Sequence, residues 1–135
     1  MSKQEAGATF LRVILGVIFF FHGMDKFQSG IENTVGFFDS VGIPGIAAYI
    51  IAAIELVGGI AMVLGLGTKI VAYLFAIIMF GAIITVKFSA GFLGGYELDL
   101  ALLGMSIYIA LSNSTGLSLD NALFSKTQDK LSKAS

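Results

Sequence analysis

Four long apolar runs dominate the chain, covering about residues 7–24, 45–66, 69–88 and 98–117. Each approaches the roughly 20 residues that a helix needs to cross a hydrocarbon core of about 30 Å. The runs are apolar all round rather than alternating, so they do not read as strands of a membrane barrel. In lipid every backbone polar group must be satisfied within its own segment, and each run is therefore predicted to be a transmembrane helix. The predicted fold is an all-α integral membrane protein: a four-transmembrane-helix bundle with a short interfacial helix in the first loop. The first run lacks a small-x-small cleavage site and is read as a retained helix rather than a secretory signal.

The connections are unequal. The second and third runs meet at the tight turn Gly65-Leu66-Gly67-Thr68. The first and second are separated by residues 25–44, which include Val35-Gly36-Phe37-Phe38 and are too apolar for a solvated loop. A short helix over about 32–40, with Phe37 and Phe38 dipping into the headgroups, fits this stretch. The third connection, 89–96, is glycine-rich. Residues 121–135 are polar, with weak helical character at best. The organisation expected is one transmembrane domain over 1–120 and a cytoplasmic tail over 121–135.

Composition narrows the function. Of 135 residues, 56% are apolar and 13% charged, against about 25% charged in a soluble domain. No basic domain is present, which argues against nucleic acid as a partner. With no Cys there is no disulfide, thiol relay or iron–sulfur ligation, and the single His cannot supply both axial ligands of a haem. Lys3, Arg12, Lys69, Lys126, Lys130 and Lys133 fall at the end of the bundle that holds both termini, and Lys26 and Lys87 at the other. That excess predicts a multi-pass protein with both termini in the cytoplasm.

Charges at membrane depth are costly and face a bundle interior or a cavity. At 100° per residue, Arg12, Gly16, Phe19, Gly23 and Lys26 share one face of the first helix, with His22 at its edge. Glu55, near the middle of the second run, lines up with Ala48 and Ala52, and its expected partner is Arg12 or His22. On the third run Lys69 and Lys87 share a face with Tyr73 and Phe80. On the fourth, Glu97 shares one with Gly104 and Tyr108, while Asp99 points almost opposite. His22, Glu55 and Glu97 are the candidate proton-handling residues, and Arg12, Phe19, His22, Lys26, Glu55, Lys87 and Tyr108 the candidate ligand contacts. Phe20 and Phe21 join Phe19 as candidate walls for an aromatic ring. No metal centre is expected. The competing reading is structural: Lys69 as a snorkelling anchor, and an Arg12–Glu55 pair that only holds the bundle.

The first helix carries Arg12, Gly16, Phe19, His22-Gly23 and Lys26-Phe27. The second run carries Gly42-Ile43-Pro44, Glu55, Gly58-Gly59 and Gly65-Leu66-Gly67-Thr68-Lys69. The fourth carries Tyr96-Glu97-Leu98-Asp99 and leads to Gly116-Leu117-Ser118-Leu119-Asp120. In this order and spacing they resemble the DoxX family of small bacterial membrane proteins over about residues 10–120. Residues 37–44 and 81–87 look most like the branch tied to catechol and quinone stress. The resemblance implies a bacterial cell-membrane location and redox work, since one family member is a subunit of a membrane thiosulfate:quinone oxidoreductase. It implies a membrane oxidoreductase, or a subunit of one, holding a quinone or quinone-like molecule in a polar site within the bundle. Two alternatives stay open: a scaffold that recruits soluble redox enzymes, and a carrier for aromatic molecules, which would require a homo-oligomer.

Overall fold

A Ser-x-x-Glu box starts the first helix ahead of its apolar run. The Ser2 hydroxyl accepts from the Glu5 amide at 3.1 Å, and the Glu5 carboxylate accepts from the Ser2 amide at 2.9 Å, which satisfies two amides that a helix start leaves without partners. In the computed structural model, which describes residues 1–113 and 116–135, α1 accordingly spans Lys3–Gln28. There come next α2 (Ile31–Ser40), α3 (Ile46–Leu64), α4 (Thr68–Ala82), α5 (Glu97–Leu111) and α6 (Leu119–Ala134). A π turn over Ile83–Lys87 and a tight turn over Phe88–Ala90 prolong α4, and a kinked turn over Phe92–Tyr96 leads into α5.

Among the described residues the chain is all-α, and four stretches are long and apolar enough to cross a membrane: Lys3–Gln28, Ile46–Leu64, Thr68–Ala90 and Phe92–Leu111. The short helix expected over 32–40 is α2. Two expectations need correction. The fourth span ends at Leu111 rather than at 117, because Ser112 turns to extended backbone (φ −74°, ψ 136°); Ser114 and Thr115, inside the expected run, lie outside the described residues. The tail is also a regular helix. Its start is capped by the Ser118 hydroxyl, which accepts from the Asn121 amide at 3.1 Å, and Asp129 and Lys133 pair across one turn at 3.0 Å.

The bundle is built from two tightly packed helix pairs, α1 with α3 and α4 with α5. Glycines set the first pair. A Cβ at Gly16 would lie 2.7 Å from the Gly59 carbonyl oxygen, one at Gly59 2.5 Å from the Phe20 nitrogen, and one at Gly23 2.5 Å from the Leu56 nitrogen. Small residues let helix backbones approach this closely in a membrane. The two pairs meet through a dry core that includes Leu15, Phe19, Met62, Phe75, Leu102 and Ile109. There the Phe19 and Phe75 rings stack with centroids 3.7 Å apart. α2 folds back over the start of α3, where Gly45 leaves room for Val35.

The turn between α3 and α4 places Gly65 (φ +73°) and Gly67 (φ +60°) in left-handed conformations, which glycine adopts without a Cβ clash. Asp120 then closes the end of the bundle. Its carboxylate accepts from the Gly67 amide at 2.8 Å and the Thr68 amide at 3.0 Å, capping α4, while its own amide donates to the Gly65 carbonyl at 3.0 Å. Burial alone would raise the Asp120 carboxyl. The Thr68 and Gly67 amides, the Thr68 hydroxyl and the nearby Arg12 guanidinium outweigh it and hold the group below its ordinary range. Asp120→Ala is expected to cost about 1 kcal/mol, the usual worth of a helix cap. Because the native value is depressed, this contribution is complete above the unfolded value of about 4 and is lost as pH falls through the native value. Thermal unfolding in detergent should therefore show a smaller acid-side fall in Tm for Asp120→Ala than for the parent chain. An identical acid limb would show that Asp120 is not the group responsible.

Candidate functional site

The register of α1 against α3 decides which charges meet. The helices run antiparallel, with Gly16 facing Gly59 and Val63, and Gly23 facing Ala52 and Leu56. That alignment sets Arg12 level with Gly65, where an added Cβ would lie 2.9 Å from its guanidinium. Arg12 donates instead to the Leu117 carbonyl. Arg12 is therefore not the partner of Glu55, and neither is His22. The partner is Lys26, one turn beyond His22, whose side chain leans back along the helix as helical side chains do. Its Nζ lies 2.6 Å from Glu55 Oε2. Glu55 is 2% exposed and the Lys26 side chain 23%, so the pair is sequestered with only its cation reaching the cavity mouth.

A second pair faces it from the other half of the bundle. A straight helix would leave Lys87 on the outer face with Tyr73 and Phe80, which are exposed. The π turn over Ile83–Lys87 holds an extra residue per loop and so delays the rotation of the residues after it by up to about 100°. Lys87 is thereby brought round toward the inward line of Met79, and its Nζ lies 3.6 Å from Asp99 Oδ2. Asp99 is 3% exposed, and Oδ2 accepts no hydrogen bond among the described residues; the Lys87 ammonium is its charge partner.

Between the two pairs lies a cavity of about 620 Å³, within the range of small-molecule sites. His22, Lys26, Glu55, Thr85, Lys87 and Asp99 supply its polar lining, and Phe37, Phe38, Ile43, Ile51, Ile77 and Met79 much of the apolar wall. α2 thus brings Phe37 and Phe38 to the cavity rather than only to the headgroups. The arrangement is an apolar slot with an ammonium–carboxylate pair from each helix pair and an imidazole beside them.

Of the residues singled out in the sequence, the structure brings together His22, Lys26, Glu55 and Lys87. Arg12 sits at the opposite end of the bundle, in a smaller cleft of about 300 Å³ with Thr68, Lys69 and Asp120. Phe19 is in the core against Phe75. Glu97 is exposed and accepts from the Gly94 amide at 3.1 Å. Tyr108 is 45% exposed on the outside of α5. Asp99 takes the place expected of Glu97, because the inward face of α5 is the one with Leu102, Ser106 and Ile109. Ser106, buried in mid-helix, was the readable sign of that face.

Comparison with known proteins is consistent across the chain. The DoxX family model matches residues 7–88, a stretch that contains His22, Lys26, Glu55 and Lys87. A Bacillus subtilis (strain 168) protein named "Putative oxidoreductase CatD" is 53% identical over 125 residues, covering 92% of each chain. An "Uncharacterized membrane protein Rv3486" of Mycobacterium tuberculosis is 31% identical over 128 residues, covering 84% of this chain and 78% of its own. An "Uncharacterized protein" of Haemophilus influenzae is 28% identical over 123 residues, covering 87% and 90%. No solved structure matches the chain.

Proposed function

We propose a redox role for this chain from one premise: it belongs to the DoxX family, as a multi-pass membrane protein. In this reading the cavity holds a quinone or quinone-like ring as substrate, for reduction in the membrane in defence against quinones and catechols. The observation that carries it is the meeting of two ammonium–carboxylate pairs, each with its carboxylate buried, and apolar walls in one cavity of about 620 Å³. A quinone is a flat apolar ring with carbonyl acceptors, and it takes up protons with its electrons. An ammonium has three N–H donors, so Lys26 can keep its bond to Glu55 and still donate to a ring carbonyl. Lys87 offers a second donor from the other helix pair. Both cations oppose the negative charge that develops on the ring oxygens during reduction. His22, half-buried beside Lys26, is placed to relay protons from water. The electrons enter from a soluble reduced partner, since the chain has no Cys and one His. The excess of Lys and Arg at the end that holds both termini supports a cytoplasmic placement of that end.

Titration of the purified protein in nanodiscs with a short-chain naphthoquinone tests the siting. Lys87→Gln, which removes one charge-assisted donor, is expected to weaken binding by about tenfold. Glu55→Gln, which releases Lys26 from its place, and His22→Ala, which removes the imidazole from the cavity lining, should each weaken it too. Tyr108→Phe and Glu97→Gln, which do not line the cavity, should leave it unchanged. Full affinity in both Glu55→Gln and His22→Ala would overturn this placement.

A further inference from the structure

Helix α6 buries none of its side chains, and Leu123, Phe124 and Leu131 are 53%, 64% and 61% exposed. These residues are not scattered. At 100° per residue, Leu123, Phe124 and Leu131 fall within a sector of about 100°, shared with Thr127, Ala134 and the turn-bonded Asp120, while Leu119 falls within the lysine strip. Lys126, Lys130 and Lys133 form a strip beside it, about 60° wide by the same wheel. The opposite side carries uncharged polar residues such as Ser125 and Gln128. Asp129 lies at the edge of the basic strip, engaged with Lys133.

The start of this helix is also fixed in depth. Through Asp120 its first turn is bonded to Gly65, Gly67 and Thr68, at the junction where α3 leaves the apolar span and α4 enters it. A helix tethered at the membrane boundary, with an apolar sector and a flanking lysine strip, has the pattern of an in-plane surface helix. We propose that α6 lies on the membrane surface, with Leu123, Phe124 and Leu131 at the acyl boundary and its lysines on anionic lipid headgroups. Charge complementarity commits the occupant: a row of ammonium groups beside an apolar sector fits an anionic lipid surface. This inference does not depend on the redox reading of the cavity.

The chain has no Trp, so Phe124→Trp in the full-length protein gives a single reporter. One copy per nanodisc is compared in phosphatidylcholine and in discs enriched in phosphatidylglycerol. The expected result in anionic discs is a blue-shifted emission, loss of acrylamide quenching and gain of quenching by brominated lipid. Replacing Lys126, Lys130 and Lys133 with Gln should return the signal to its value in phosphatidylcholine. Asp129→Lys, which adds a cation, should deepen the shielding and guards against a merely unfolded triple variant. Full acrylamide access in both kinds of disc would overturn the proposal. So would shielding that arises only when two copies share a disc, or only after a soluble extract is added.

Discussion

Lys26→Met is expected to destabilise the bundle by about 3 kcal/mol, the cost of stripping the partner from a sequestered charge. Glu55 is 2% exposed and its carboxylate is held at 2.6 Å by Lys26; without the ammonium it is left inside the bundle with no charge partner. The reverse deletion should be milder. In Glu55→Leu the remaining Lys26 is 23% exposed and can swing its head toward the cavity mouth, so about 1 kcal/mol is expected, nearer the value of a solvated pair. The double variant Lys26→Met/Glu55→Leu should regain most of what Lys26→Met loses, because an apolar pair of similar volume replaces the ion pair without an orphaned charge. Denaturant unfolding of the four chains in detergent closes the cycle. Equal costs for the two single variants, or a double variant as unstable as Lys26→Met, would mean that the pair is not sequestered as described.

The same residues show how much of the molecule is legible in its sequence. Four spans are legible because lipid demands long, uniformly apolar helices and forbids most alternatives. Glu55 is legible as a special residue because a carboxylate in mid-span is costly wherever it points. Its partner is not. Arg12, His22 and Lys26 all lie on or near one stripe of α1, and only the register set by Gly16, Gly23 and Gly59 chooses among them. Ideal helical spacing puts Lys87 on the wrong face because it cannot anticipate the π turn at Ile83–Lys87. It favours Glu97 over Asp99 for a related reason: α5 is apolar on most sides, so its hydropathy does not say which face turns inward, and Ser106 is only a faint sign of it. Helix α6 is hard to read because the tail is short of apolar residues, while its Ser118 cap and its bond to the α3–α4 turn are local and tertiary features that hydropathy does not register.

The dependence of the site on backbone packing gives the other large effect. Gly23→Ala is expected to cost about 2 kcal/mol, as overpacking of a closely fitted contact does. The new methyl would meet the Leu56 nitrogen at 2.5 Å and the Ala52 carbonyl at 2.9 Å. Both are main-chain atoms, so α1 and α3 must move apart; no side chain can rotate out of the way. Leu56 and Ala52 flank Glu55, and Gly23 is one turn before Lys26, so the separation falls on the ion pair. Gly59→Ala drives a methyl against the Phe20 nitrogen at 2.5 Å and should cost a similar amount of stability. It acts further along the helix pair, nearer the dry core than the cavity. The two variants are therefore expected to match in stability and to differ at the site, with naphthoquinone affinity falling more in Gly23→Ala than in Gly59→Ala. Gly104→Ala serves as the reference, since its methyl would meet nothing within 4 Å; it should be neutral, or stabilising by up to about 1 kcal/mol through the lower chain entropy of Ala. Full stability in Gly23→Ala and Gly59→Ala would mean that α1 and α3 do not approach at their glycines, and the register that pairs Lys26 with Glu55 would fall with them.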